Sequence, residues 1–297
     1  MSDWPVGLST GCFYTQSFFD CIDSIVKNGF TMLEICSSPQ HLDYHDESAV
    51  KEAARILEAG HVESYSFHAP FSEKIDITSL DETARTAAAE EIIRAAKAAS
   101  MLNARYFVLH PGPEKSYTVS PEERMERMKN AAGVLDRICE QIAEMGVGVV
   151  IENMLPHLFC GNISEMTWLL GSIKSVIPGA CLDTGHAYLS KNLYNVMYKL
   201  SGHLAMVHAN DNTGSGDDHL PPGKGDIDWK KLLWELGQTG FRGSLMLEIA
   251  GNDQVDAEPL LYGARESRLY LRRLMKDLAL SKPPTVAYGR MHEGREE

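Results

Sequence analysis

The sequence predicts an α/β fold, a single (β/α)8 barrel of the TIM type. Eight short runs rich in Val, Ile, Leu and aromatic residues recur along the 297 residues, and amphipathic helical patterns stand between them. No Ser/Pro-rich linker divides the chain into halves, so a closed barrel accounts for the alternation better than two doubly wound domains.

The runs are Val6 to Phe13, Met32 to Ser37, Val62 to Ala69, Arg105 to Pro111, Gly148 to Met154, Ala180 to His186, Leu204 to Asn210 and Ser244 to Gly251. Their near-continuous apolar character suits parallel strands covered on the outer face, whereas a strand wetted on one side would alternate. Among the helices, Ala84, Ala88, Ile92, Ala95, Ala96, Ala99 and Leu102 share one stripe, and Ser79 with Glu82 reads as its capping box. The next helix takes Ser120 as N-cap, Pro121 as its first residue and Glu123 to complete a box. Met125, Met128, Leu135, Ile138, Ile142 and Met145 then fall on one face. One barrel domain over residues 1–280 is expected, with 281–297 as a C-terminal extension.

Composition narrows the class. A hydrophobic fraction of 44% with 23% charged residues is ordinary for a globular chain with a substantial core. The formal charge of −13 works against non-specific attraction to nucleic acid, though a local basic groove is compatible with it, and favours a small-molecule partner. No run reaches the roughly 18 apolar residues of a membrane span, and MSDWPVGLST lacks the regions of a signal peptide, so a cytoplasmic protein without a membrane partner is expected. Six scattered cysteines with no CxxC pair suggest neither a disulfide framework nor a thiolate zinc site. A homo-oligomer is compatible with the sequence, and no feature sets its number.

The chemistry lies at the strand ends. Six of the eight runs end in a polar residue able to hold a metal: His68, His110, Glu152, Asp183, His208 and Glu248. One such residue beside an apolar run is ordinary, but in a barrel all six converge on the mouth, where active sites are built. Carboxylates crowded there without a counter-charge would raise one another's proton affinity, a conflict that a divalent cation removes. Mixed imidazole and carboxylate ligation suits zinc, manganese, cobalt or iron better than magnesium or calcium. His186 follows Asp183 by three residues, and the long loop NTGSGDDHLPPGKGDIDW adds Asp217 and His219. Asp211, Asn212, Asp218 and Lys224 share that loop; Lys224, like Lys115, is a candidate contact for a substrate phosphate.

HAP, HPG, IEN, LDTGH, HxND, DxHLPPGKGDIDW and the last-strand LE appear in that order. This set resembles the xylose isomerase-like barrel superfamily, also called AP endonuclease family 2, which joins sugar and sugar-phosphate isomerases and epimerases with endonuclease IV. Members similar to ketose 3-epimerases bind one divalent metal through residues matching Glu152, Asp183, His208 and Glu248. Endonuclease IV uses three zinc ions, and its larger ligand set is matched by those four with His68, His110, His186, Asp217 and His219. The resemblance thus implies one to three ions of zinc, manganese or cobalt.

HLPPGKGDIDW and IENM look like the carbohydrate-directed members. Met154-Leu155-Pro156 replaces the Ala-Gly segment expected after IEN in endonuclease IV, and PFSEKIDITS lacks the Tyr-containing pattern of its abasic-DNA loop. The implied activity is isomerisation or epimerisation of a sugar or sugar phosphate by proton transfer next to a carbonyl, through a metal-stabilised enediolate. By the resemblance Glu152 and Glu248 are the candidate base and acid; His68, His110, His186 and Lys224 are candidate substrate contacts from their positions, His186 alternatively binding a second metal. The alternative is hydrolysis of abasic DNA at a trinuclear zinc site.

Other residues have weaker claims. Glu34 ends the second run and either faces the mouth or pairs with a neighbouring strand. His41 and His45 fall in the following loop, at the surface or in a lid. Trp4, Phe13 and Tyr14 are candidates for an apolar substrate wall, with core packing the stronger reading for Phe13. Arg265, Arg268, Arg272 and Arg273 read as a solvated or interface face of the last helix.

Overall fold

Every apolar run becomes a strand, and the first and sixth are cut short where a polar side chain captures the backbone. In the computed structural model, which describes residues 4–251 and 257–278, β1 (Val6–Ser9) ends because the Ser9 hydroxyl accepts the Gly11 N–H and starts a 3-10 turn over Thr10–Phe13. The sixth run divides in the same way. Its strand stops at Asp183, whose carboxylate accepts the His186 N–H at 2.7 Å and caps a helix beginning at Thr184.

The order continues through α1 (Phe18–Lys27), β2 (Met32–Cys36), α2 (Glu47–Ala59), β3 (Glu63–His68), α3 (Glu82–Met101), β4 (Tyr106–Leu109), α4 (Pro121–Glu144), β5 (Gly148–Glu152) and α5 (Ile163–Ser172). Then follow β6 (Gly179–Asp183), α6 (Thr184–Leu189), α7 (Leu193–Leu200), β7 (Leu204–Ala209), α8 (Trp229–Gln238), β8 (Ser244–Leu247) and α9 (Ala257–Asp277). All pairings are parallel and β8 closes on β1, giving a single (β/α)8 barrel. Among the described residues no helix is long and apolar enough to cross a membrane.

Strand periodicity explains how the mouth is furnished. Met32, Val108, Val150, Cys181, Met206 and Met246 pack with Tyr65 in a cluster inside the barrel, separate from the larger core between strands and helices. Side chains on one face of a strand recur every second residue. The next inward positions are therefore Glu34, His110, Glu152, Asp183, His208 and Glu248. An apolar plug supports one layer of ionisable groups above it.

Several local expectations change. Asp81, not Ser79, caps α3 through its bond to Thr83 N–H, while Ser79 accepts the Asp81 N–H one step earlier. Ser120 does cap α4, with Pro121 in its first turn. Met125 is exposed, since it lies near the start of α4, whose first buried residue is Met128. Trp4 precedes β1, donates its indole N–H to the Phe241 carbonyl and packs edge-on to Phe241, away from the mouth. Phe13 belongs to the core, and Tyr14 is exposed at the mouth. His41 is buried with Nδ1 on the Gln16 carbonyl, whereas His45 is an exposed partner of Asp43 and Glu91. Arg268 leaves the expected solvated face: it is buried over the Phe30 ring and donates to the Asn28 and Gly29 carbonyls, tying α9 to the end of α1. The extension 281–297 lies outside the described residues.

Candidate metal centre

Four strands bring the ligand atoms of Glu152, Asp183, His208 and Glu248 within 4.8 Å of one another. Asp183 and His208 are register partners on β6 and β7, so their convergence is fixed by strand pairing. Asn153 locks β5 to β6, accepting the Asp183 N–H at 2.9 Å and donating to the Asp183 carbonyl at 3.1 Å. Asn210 donates to Asp183 Oδ2 at 2.6 Å. Asp183 is thus oriented through both oxygens, by the His186 N–H and by Asn210.

His208 Nδ1 lies 3.3 Å from Glu152 Oε2 and 3.2 Å from Glu248 Oε2, yet all three atoms are buried without a hydrogen-bond partner. The other ring nitrogen explains this. Nε2 faces Glu34 Oε2 at 3.0 Å, and a carboxylate there favours the proton on Nε2. In the neutral ring, Nδ1 then offers a lone pair to a point at which two carboxylate oxygens also aim. With the ring neutral, three acceptors converge with no donor between them, which suits a cation, and the mixed nitrogen and oxygen donors suit a transition metal. Without a cation, burial pushes against charge on the ring, but the surrounding carboxylates outweigh it and favour the protonated ring instead.

The remaining imidazoles follow the same rule. His68 Nδ1 faces the Ala69 carbonyl, His186 Nδ1 the Asn153 carbonyl and His219 Nδ1 the Glu248 carbonyl, each at 2.9 Å. A carbonyl only accepts, so these nitrogens carry protons and Nε2 is left to point inward. His68 and His110 aim Nε2 at Glu152 Oε2 from 3.4 and 3.5 Å, with His110 Nδ1 held by Glu114 at 2.6 Å. His186 and His219 aim Nε2 at Asp217 Oδ2 from 3.4 and 3.2 Å. His68, Glu152 and His208 form a second possible ligand cluster, and His186, Asp217 and His219 a third.

The loop that carries Asp217 and His219 is braced from below. Asp211 is buried and accepts N–H bonds from Asn212, Gly223 and Ile227 and from the Trp229 indole. His219 holds a left-handed backbone at φ 44°, a conformation uncommon for a residue with a side chain. Its carbonyl accepts the Ala250 N–H at 2.8 Å, so backbone and ring are both fixed against the end of β8.

Crowding shifts the ionisation of these side chains. Burial pushes the Asp183 carboxyl up to about 7, with Glu248 and Glu152 adding to the effect against His186 and His219. For Glu152 burial also raises, but His208, His110 and His68 outweigh it and hold the carboxyl well below the usual carboxylate range. Burial opposes charge on His110, yet Glu114 and Glu152 bring it to about 9. Burial likewise opposes charge on His219, and Asp217, Glu248 and Asp183 bring it to about 10. Without a cation, protons hold this cluster of carboxylates together.

A cavity of about 640 Å³ opens above the cluster, with His68, Asp217, His219 and Glu248 at its base and Tyr14, Pro39, Phe71 and Ile249 among its walls. Phe71 packs over the rings of His68 and His110. Lys224 lies exposed on the loop and outside the cavity lining. Lys115 is exposed and faces the Tyr117 ring.

Residues 22–274 match the family described as the xylose isomerase-like TIM barrel. The chain belongs to that family. An uncharacterised protein of Methanocaldococcus jannaschii is 29% identical over 256 residues, covering 83% of this chain and 84% of its own length. Fructoselysine 3-epimerase of Escherichia coli O157:H7 is 24% identical over 201 residues, covering 66% of this chain and 70% of its own length. A D-tagatose 3-epimerase-like protein of known structure superposes with a TM-score of 0.80 at 25% identity, over 93% of this chain and 98% of that one.

Against this xylose isomerase-like frame, Glu34, Asn153, Asn210, Asp211 and Glu114 are the residues that sequence reasoning passed over or left undecided. Asn153 stands in IEN, and Asn210 and Asp211 in HxND, so the motifs contained them without revealing that the two asparagines orient Asp183 or that Asp211 braces the loop.

Proposed function

We propose that the protein is a divalent-metal-dependent sugar or sugar-phosphate isomerase or epimerase, acting by proton transfer at a carbon next to a carbonyl. The observation that carries this reading is the convergence of Glu152 Oε2, His208 Nδ1 and Glu248 Oε2, three buried acceptors without partners, at the floor of an open cavity. Glu152, Asp183, His208 and Glu248 would hold the cation. Once bound, a divalent cation offsets the negative charge that develops on the carbonyl and neighbouring hydroxyl oxygens as the carbon loses its proton.

The chain's own groups supply the proton traffic. Without a cation Glu152 and Glu248 are both held ionised by protonated imidazoles, Glu152 by His208, His110 and His68 and Glu248 chiefly by His208, in each case against the upward push of burial; a bound cation would take over that role from His208. One carboxylate takes the proton from carbon, leaving an enediolate, and the other, having first taken up a proton from water, returns it to carbon. The first ends protonated and the second ionised, and exchange with water resets the pair. A carboxylate held so low is a weak base, so the reaction also depends on acidification of the substrate C–H. His68, with Nδ1 fixed on a carbonyl and its ring lining the cavity, is placed to donate to a substrate oxygen when protonated; His110 and His186 supply the flanking charge.

The test is solvent deuterium incorporation. Metal-loaded protein should label a ketose from a broad keto-sugar panel at the exchanging carbon, with product analysis separating isomerisation from epimerisation. No label in any member of the panel would reject the reading.

A second reading, phosphodiester hydrolysis at abasic DNA with up to three zinc ions, is favoured by one observation: His186, Asp217 and His219 also assemble a ligand cluster. It requires incision of an abasic duplex that is lost on chelation and in Asp217→Ala or His219→Ala. Inactivity at full zinc occupancy would reject it.

A further inference from the structure

One fully buried acid beneath the mouth is not among the four proposed ligands. Glu34 is fully buried on β2, two residues after the interior Met32. Register places Ser9 of β1 and Ser66 of β3 on either side of it. Both hydroxyls donate to its carboxylate, Ser9 to Oε1 at 2.9 Å and Ser66 to Oε2 at 2.8 Å. The third contact reaches across the barrel to β7, where His208 Nε2 lies 3.0 Å from Oε2.

A buried carboxylate is costly, and burial is offset only by good partners. Among the described residues the ion-pair partner of Glu34 is His208, with no Lys or Arg beside it. Glu34 lies at the far edge of the His208 ring, away from the point where Nδ1, Glu152 and Glu248 converge. The arrangement therefore invests a buried charge in the orientation of one imidazole.

We propose that Glu34 is a positioning residue that makes His208 a metal ligand through Nδ1. Its carboxylate accepts the Nε2 proton, keeps the Nδ1 lone pair directed at the centre and increases the ring's donor strength; Ser9 and Ser66 hold the carboxylate in the plane needed for that bond. This inference rests on the metal-dependent reading above. It also goes beyond it, because the four ligands could hold a cation with His208 in either tautomer if no group fixed the ring.

Glu34→Gln keeps size and shape and removes the property in question. An amide that turns its NH2 toward His208 demands a lone pair on Nε2 and drives the proton onto Nδ1, where it points at Glu152 and Glu248. An amide that turns its oxygen instead gives only a neutral, weaker bond. Either way cation affinity falls. Groups behind a ligating histidine typically change metal affinity by about 10–100-fold.

Two measurements test the proposal, and neither depends on turnover. The first is calorimetric titration with Mn2+ of wild type and Glu34→Gln, with circular dichroism confirming a folded variant. An affinity at least 10-fold weaker in Glu34→Gln is expected, with Glu34→Asp intermediate; equal affinities would overturn the proposal. The second uses wild type alone: 15N imidazole spectra of the Zn2+-loaded protein, with His208 assigned by its loss in His208→Ala. A proton on Nε2 and the shift of a coordinated Nδ1 are expected, and the reverse pattern would overturn the proposal even if Glu34→Gln failed to fold. Wild type that binds neither ion would instead overturn the metal-dependent reading on which this one stands.

Discussion

Asp211 Oδ2 accepts the indole N–H of Trp229 at 2.9 Å, and this bond ties the ligand-bearing loop after β7 to the first turn of α8. The same carboxylate also takes the N–H groups of Asn212, Gly223 and Ile227. Removing it strands several buried donors, each costing about 1–3 kcal/mol when left without an acceptor. Asp211→Ala should therefore lower unfolding stability by about 3 kcal/mol in denaturant titration. Cation binding at His186, Asp217 and His219 should weaken more than binding at the four-residue centre. Unchanged stability would mean that the loop is held by something other than this carboxylate.

Gly185 permits the approach of β7 to the start of α6. A Cβ there would lie 2.1 Å from Asn210 Oδ1 and 3.1 Å from Asn212 Nδ2. Gly185→Ala must displace Asn210, the residue that orients Asp183. A loss of about 1–3 kcal/mol is expected from overpacking, with weaker cation binding alongside it. Ordinary stability and ordinary metal affinity together would show that Asn210 moves without consequence.

The pH response follows from the imidazoles. His110 and His219 are raised from 6.5 to about 9 and about 10, so the stability they contribute is whole below pH 6.5 and is lost as pH rises through those values. Asp183, raised from 3.8 to about 7, acts in the same direction at lower pH. Melting temperature of chelator-treated protein should therefore fall between about pH 7 and 10. Cation-loaded protein should show a flatter profile, because the bound ion replaces the protons, and its apparent affinity should rise with pH over the same interval. A metal-free melting temperature that rises with pH would contradict these assignments.

The barrel was legible because each strand repeats one pattern, an apolar run closed by a polar residue. The same pattern placed Glu152, Asp183, His208 and Glu248 among six candidates, from which the family resemblance picked these four; they fall at equivalent positions above Val150, Cys181, Met206 and Met246. Glu34 stands above Met32 by the same two-residue step, so the signal was present, but a carboxylate beside a neighbouring strand reads equally well as a pair with that strand. Its partner proved to be on β7, a pairing 174 residues away in sequence that only barrel closure creates. Asp81 displaced Ser79 as cap because two residues two positions apart offered the same chemistry and the loop decided between them. Arg268 looked solvated for a related reason: its partners are backbone carbonyls at the end of α1, which leave no mark in the sequence.

Anomalous diffraction at the manganese edge, from crystals grown with Mn2+, addresses the central claim most directly. A peak about 2.0–2.3 Å from His208 Nδ1 and from carboxylate oxygens of Glu152, Asp183 and Glu248 is the predicted result. No peak among these four residues, despite saturating Mn2+, would contradict it.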